Sequence, residues 1–181
     1  GQVLTSGGVG VAPTFQTAAG GGKVLQVLHS VYTGNTTGSG TTPTLPTTDM
    51  QLSITPASTS SKILIQVNLQ MSSAGGSHSG VRLYKGGSEI TEVRAAGSSN
   101  RIYYWLTTGY IETSGTSYNS ITAMTGQYLD SPATTSATTY DIRCFNRETG
   151  GLWYLNRTQS FGNTSQTANP TSSITLIEIG A

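Results

Sequence analysis

The chain has 181 residues, of which only 9% are charged against roughly a quarter in an average domain, and its formal net charge is +1. That length suits one domain with a tail and is enough to bury a sizeable core, while so few charges make disorder by charge repulsion a poor description. The nine Lys and Arg are scattered singly from Lys23 to Arg157, and no apolar run approaches the ~18 residues of a membrane span, so neither a nucleic-acid partner nor membrane insertion is expected.

The first segment, "GQVLTSGGVGVAPTFQ" from Gly1 to Gln16, is rich in Gly and Ser, its apolar residues come singly, and Pro13 interrupts it. One extended chain of this composition does not offset its own ordering entropy, which predicts that something outside the chain holds it. Residues 1–22 are therefore expected to be an extended neck ending in a glycine joint, and 23–181 a separate knob. No charged-then-apolar leader opens the chain, and the missing initiator Met points to a fragment or a processed product.

From Lys23 onward the apolar residues alternate with period two, the signature of half-buried strands. In chain order the expected strands are Lys23 to Tyr32, Met50 to Thr55, Ile63 to Met71, Gly80 to Lys85, Glu89 to Arg94, Arg101 to Thr113, Tyr118 to Leu129, Thr139 to Arg147, Gly151 to Arg157 and Ser173 to Ile179. No helix is expected. "TPASTSS", "KGGS", "ETSGTS" and "ETGG" read as tight turns between them. Many short strands at this spacing predict an all-β antiparallel β-sandwich of the jelly-roll kind.

If consecutive strands run antiparallel, the connections fall alternately at the two ends. Thr33 to Thr48, Ser72 to Ser79, Ala95 to Asn100, Asp130 to Thr138 and Thr158 to Ser172 then gather at a free tip. The tight turns gather where the chain enters and leaves.

The residues carry little chemistry. Cys144, in "TTYDIRCFN", has no partner in the chain and reads as a small buried hydrophobe. "AAGGGKV" lacks both the spacing and the Ser or Thr of a phosphate loop. The carboxylates lie on different strands and turns; Glu89 with Glu92, or Asp141 beside Arg143, are the nearest to a catalytic pair, and a structural role suits them better. Two isolated His and one Cys offer no metal-ligand spacing, so neither a metal nor a cofactor is expected. The sequons at Asn35, Asn156 and Asn163 arise readily in a chain this rich in Ser and Thr and support no argument for secretion.

"RIYYWLTTGY" and "GLWYLNR" each place aromatics on both faces of one strand. The outward ring of each pair is expected at a subunit interface, with partial exposure or a ligand such as a sugar face as alternatives.

The opening stretch resembles a short segment of tail fibres and related fibrous proteins of tailed bacteriophages. The shared positions are Gly1, Val3, Leu4, Thr5, Ser6, Pro13, Thr14, Phe15 and Gln16; Gly7 and Phe15 depart from the family's usual Asn and Trp. "LSITPASTSSKILIQVNLQ", "VRLYKGGSEI" and "SSITLIEIG" look like the C-terminal knob modules of such fibres, similar in plan to the trimeric jelly rolls of the tumour-necrosis-factor and C1q type. The resemblance implies a parallel homotrimer whose neck joins the rest of the phage fibre or tail. Three copies would bury Val3, Leu4, Val9, Val11 and Phe15 on a shared axis, and Tyr103, Trp105 and Trp153 would add to the interface.

The expected function is a non-enzymatic virion fibre tip that attaches to a host surface glycan or protein through its distal loops, with His78, Asn100, Arg101, Asn163 and Gln166 as the contact residues. A structural head fibre or capsid decoration is the main alternative. A tailspike-like glycan-degrading enzyme, using a carboxylate such as Glu89 or Glu112, is a weaker one.

Overall fold

A computed structural model describes residues 2–17, 22–74, 76–94, 102–110, 120–160, 162 and 167–180. Two antiparallel sheets lie over one apolar core, with a separate two-stranded ribbon at the N-terminus and no α-helix among the described residues.

The ribbon pairs β1 (Gln2–Thr5) with β2 (Thr14–Thr17), setting Leu4 opposite Phe15 and Val3 opposite Gln16. This corrects the expectation that the stretch needs outside help for its backbone groups, because the two halves pair with each other. Gly8 and Gly10, at φ 101° and 81°, supply the left-handed backbone that reverses the chain. Its side chains gain little from the pairing: Leu4 and Phe15 remain 59% and 67% exposed.

The wide sheet has four lanes, two of which are built from collinear strand pairs. β3 (Val24–Tyr32) and β4 (Thr36–Ser39) share the edge lane. β12 (Leu152–Leu155) and β13 (Ser172–Ile179) share the second, and both pair with the same neighbour, β6 (Lys62–Ser73). β10 (Thr122–Asp130) lies along the other edge of β6. Chain segments 33–35 and 156–171 leave their lanes at the same height, since Tyr32 faces Ser172 and Thr36 faces Leu155.

The second sheet orders β5 (Gln51–Ile54), β11 (Thr138–Asn146) and β7 (Ser79–Lys85), with β8 (Ser88–Glu89) and β9 (Leu106–Thr107) sharing the far edge of β7. The alternation read in the sequence sorts the faces. Ile63, Ile65, Val67, Leu69 and Met71 of β6 meet Val81, Leu83, Tyr140, Ile142 and Cys144 of the second sheet in a single core. Burying a side chain of this size contributes roughly 1.5–3 kcal/mol, so this face holds the sheets together.

Several expectations change. In place of a strand from Glu89 to Arg94 there is the two-residue strand Ser88–Glu89 followed by a 3₁₀ turn at Thr91–Val93, and the described part of Arg101 to Thr113 contributes only β9. On both sides of residues 95–101 the chain follows the edge of β7: the Ile90 N–H donates to the Leu83 carbonyl and the Trp105 N–H to the Val81 carbonyl. Two expected crossings are thus one passage, and the connections after β10 and β11 change ends. Residues 131–137 lie at the end where the chain enters, because Asp130 faces Ile63 and Thr138 faces Ile54. Residues 147–151 lie at the free end, where the Arg147 N–H donates to the His78 carbonyl.

β12 ends at Leu155 and β13 begins at Ser172 in the same lane and the same direction, so the connection expected at the free tip starts and ends within one lane. Thr33 to Thr48, expected as a single loop, holds β4 and a bridge from Thr44 to Cys144.

Candidate functional site

The free end is built on a buried amide. Asn146 closes β11 with no exposed surface, and its Nδ2 donates to Ser73 Oγ, Ser79 Oγ and the Leu152 carbonyl at 3.2, 3.0 and 3.0 Å. Its Oδ1 accepts from Ser77 Oγ at 2.6 Å and from the Glu148 N–H at 2.8 Å. One side chain therefore ties the 74–78 connection to the 147–151 turn with every polar atom satisfied, which fixes what those loops carry. Close approach of the Gly151 backbone to Asn146 leaves no room there for a Cβ.

Four side chains stand on this platform. His78 meets Tyr110 edge-on, with ring centroids 5.3 Å apart and planes at 67°. The Arg147 guanidinium carbon lies 5.8 Å from the Tyr110 centroid, and its Nη1 is 3.4 Å from His78 Nε2. Glu148 Oε1 accepts from Arg147 Nε at 2.7 Å and pairs with Nη2 at 2.5 Å. Tyr110 remains 53% exposed.

Burial and the adjacent Arg147 cation hold the His78 pKa below its ordinary 6.5, partly countered by Glu148, so the ring is neutral at neutral pH. The cluster presents an aromatic ring, a planar cation, a carboxylate and a neutral imidazole to solvent, a set suited to hydrogen-bonding recognition.

His78 is the one expected contact residue that the structure describes, and it stands at the free end. Asn100, Arg101, Asn163 and Gln166 lie outside the described residues, as does Glu112. Arg147 and Glu148 escape the sequence reading because "ETGG" reads as a tight turn at the opposite end, and Tyr110, the last aromatic of "RIYYWLTTGY", is read there as part of an interface strand.

The expected interface residues separate. Val3, Leu4 and Phe15 are exposed on the ribbon. Tyr103 is half-buried beneath Arg94, whose guanidinium lies 5.2 Å from its ring, and Trp105 packs against the core. Trp153 is a correction: it is 2% exposed and fills the core beneath Gly38, so it has no surface to offer a second chain. The outward rings of both aromatic pairs are covered by their own chain. Tyr104 stacks on Phe145 at 4.8 Å, and Arg157 lies 5.1 Å from the Tyr154 ring.

The carboxylates considered for catalysis are engaged or apart. Glu89 pairs with Arg82 at 3.1 Å and Arg94 at 3.3 Å, Asp141 pairs with Arg143 at 2.7 Å, and Glu92 is exposed. Cys144 is fully buried, which pushes its thiol far above the ordinary range and leaves no thiolate. Among the described residues no three His, Cys, Asp or Glu gather as metal ligands, and no helix is long and apolar enough to cross a membrane. Comparison with protein-family models and with curated proteins finds no match to this chain.

Proposed function

We propose that this chain is the knob of a bacteriophage fibre, a trimeric jelly roll without enzymatic activity that attaches the virion to a host surface glycan or protein. The observation that carries the reading is the His78, Tyr110, Arg147 and Glu148 cluster on its buried Asn146 platform, at the end remote from where the chain enters at Val24 and leaves at Ile179. A fibre tip needs this polarity, with attachment at one end and recognition at the other. The short patterns shared with fibre proteins at both termini support the same reading, and repetition of a weak site around a trimer raises avidity.

The test is binding of the fluorescently labelled protein to an array of bacterial surface polysaccharides and to intact cells from a panel of strains. Tyr110→Ala and Arg147→Ala are expected to lower binding at least tenfold, the order lost with one well-placed aromatic or charged contact. Binding that survives both substitutions with unchanged affinity sinks the tip assignment. Antibody labelling of particles separates the fibre from a capsid decoration, since a signal confined to the head is incompatible with the proposal.

A further inference from the structure

The two sheets turn very different outer faces to solvent. That of the second sheet is charged and internally closed: Arg143 lies 4.0 Å over the Tyr84 ring, Arg82 lies 4.7 Å over Phe145, and Glu89 and Asp141 neutralise the neighbouring arginines. The outer face of the wide sheet has an apolar row and then amides and hydroxyls. Among its described residues the charges at the margin where the chain enters are Lys62 and, next to Val24, Lys23.

The row follows from strand register. Ile177 faces Val27 on one side and Leu64 on the other, and Leu64 faces Leu129, so four apolar side chains cross all four lanes side by side. All four alternate with core residues and point away from the core. Val27 and Leu129 at the two edges are 55% and 45% exposed, and Val24 and Val31 extend the apolar surface at 62% and 46%.

The next row across is His29, Thr175, Gln66 and Gln127, with His29 Nδ1 2.8 Å from Thr175 Oγ1. Here the surface sinks into a depression of about 440 Å³ lined by Gln66, Val67, Thr125, Gly126 and Gln127.

We propose that this face is where a second copy of the chain docks. The inference rests on the trimeric half of the reading above and is independent of the tip. The face brings little charge to repel a copy, and its Gln, Thr, Ser and His side chains both donate and accept, so they can pair with the polar side chains of whichever surface a neighbouring copy presents around a closed ring. An apolar row left in water gains ~25 cal/mol per Å² when covered.

The size is adequate. Four lanes at ~4.8 Å and nine residues at ~3.3 Å give a footprint of about 570 Å², close to the ~600 Å² per partner at the lower end of stable interfaces. The charged face of the second sheet lacks these properties, since its ion pairs would be desolvated by a second copy for little gain.

The experiment is solution mass by light scattering on the whole chain, for wild type, Val27→Glu, Leu129→Glu and Gln127→Arg, with Leu152→Glu as a control apolar site at the free end of the same sheet, beyond the nine-residue footprint. Wild type and the control are expected at a multiple of 18.8 kDa, and the three face variants at 18.8 kDa with unchanged circular dichroism. Gln127→Arg replaces one exposed polar side chain by another, so it reports on docking even if Val27→Glu or Leu129→Glu disturbs folding. A monomeric wild type, or an oligomer whose mass survives Gln127→Arg and Leu129→Glu, overturns the proposal. A dimer lost in the face variants upholds the docking face and removes the trimer. Loss of polysaccharide binding with the oligomer intact bears on the tip alone.

Discussion

The side-chain amide of Asn156 donates to the Tyr32 carbonyl at 2.8 Å, joining the break in one lane of the wide sheet to the break in the next. The same Nδ2 donates to the Gly34 carbonyl at 3.0 Å, while Oδ1 accepts from Ser172 Oγ at 2.5 Å, where the chain returns to its lane. Asn156 has φ 59°, the left-handed backbone that turns the chain out after β12 and that Asn tolerates better than most residues. Both excursions therefore hang on one buried side chain. Asn156→Ala removes the side-chain donor to two carbonyls and the acceptor of the Ser172 O–H, whose oxygen keeps the Gln70 N–H, and strains the backbone, a loss of about 3 kcal/mol in urea unfolding. Asn156→Gly keeps the backbone freedom and should fall between Ala and wild type. Equal stability for all three would show that the breaks are held elsewhere.

Gly38 lies where any Cβ would enter the Trp153 ring. Gly38→Ala is expected to displace that indole or detach the edge strand β4, costing roughly 2 kcal/mol, within the usual range for overpacking. Tryptophan emission is the readout, because Trp153 is buried and a displaced ring shifts to the red. An unchanged spectrum and melting temperature would contradict the packing described.

Glu178, facing inward on β13, accepts from Gln26 Nε2 at 2.6 Å and from the Ala57 N–H at 2.7 Å. Burial pushes its pKa up, but the nearby Ser61 hydroxyl and the hydrogen bonds from Gln26 and Ala57 outweigh that and hold it below the ordinary 4.5. A depressed folded value means that the ionised carboxylate stabilises the fold above pH 4.5, a contribution lost as pH falls through the folded value. Melting temperatures of wild type and Glu178→Gln should therefore differ at neutral pH and converge in acid. A gap independent of pH would rule out this linkage.

Tyr140 donates to Asp130 Oδ2 at 2.6 Å, and Lys85 Nζ lies 3.0 Å from both oxygens of the same carboxylate. Burial first, and then the bond to Asp130, push the Tyr140 pKa far above its ordinary 10. The neutral phenol is favoured in the fold, so its contribution is present below pH 10 and fades as the unfolded chain begins to ionise above it. Tyr140→Phe should cost about 1–2 kcal/mol at neutral pH and flatten the alkaline limb of the stability profile. A wild-type profile without that limb would argue against the buried pair.

The core stripes were legible because a period-two pattern such as Ile63, Ile65, Val67, Leu69, Met71 admits only one arrangement of faces once it is a strand. The same local rule failed at Glu89 to Arg94, where the chain turns back after two paired residues, and it missed β4, whose Thr and Gly side chains carry no alternation. Composition and periodicity thus reached the all-β class, the antiparallel pairing and the apolar burial of Cys144, all of which depend on side-chain type and spacing.

Which residues stand together at the free end was beyond their reach. The meeting of His78 with Arg147, 69 residues apart, depends on the number of times the chain crosses the sandwich, and one miscounted passage moves the 147–151 turn to the other end. The row of Val27, Ile177, Leu64 and Leu129 is likewise a product of register among four lanes drawn from distant parts of the chain. Each strand's own alternation puts its apolar residue outward, but only long-range pairing sets the four side by side, because hydrogen-bond register is chosen between strands and not within one.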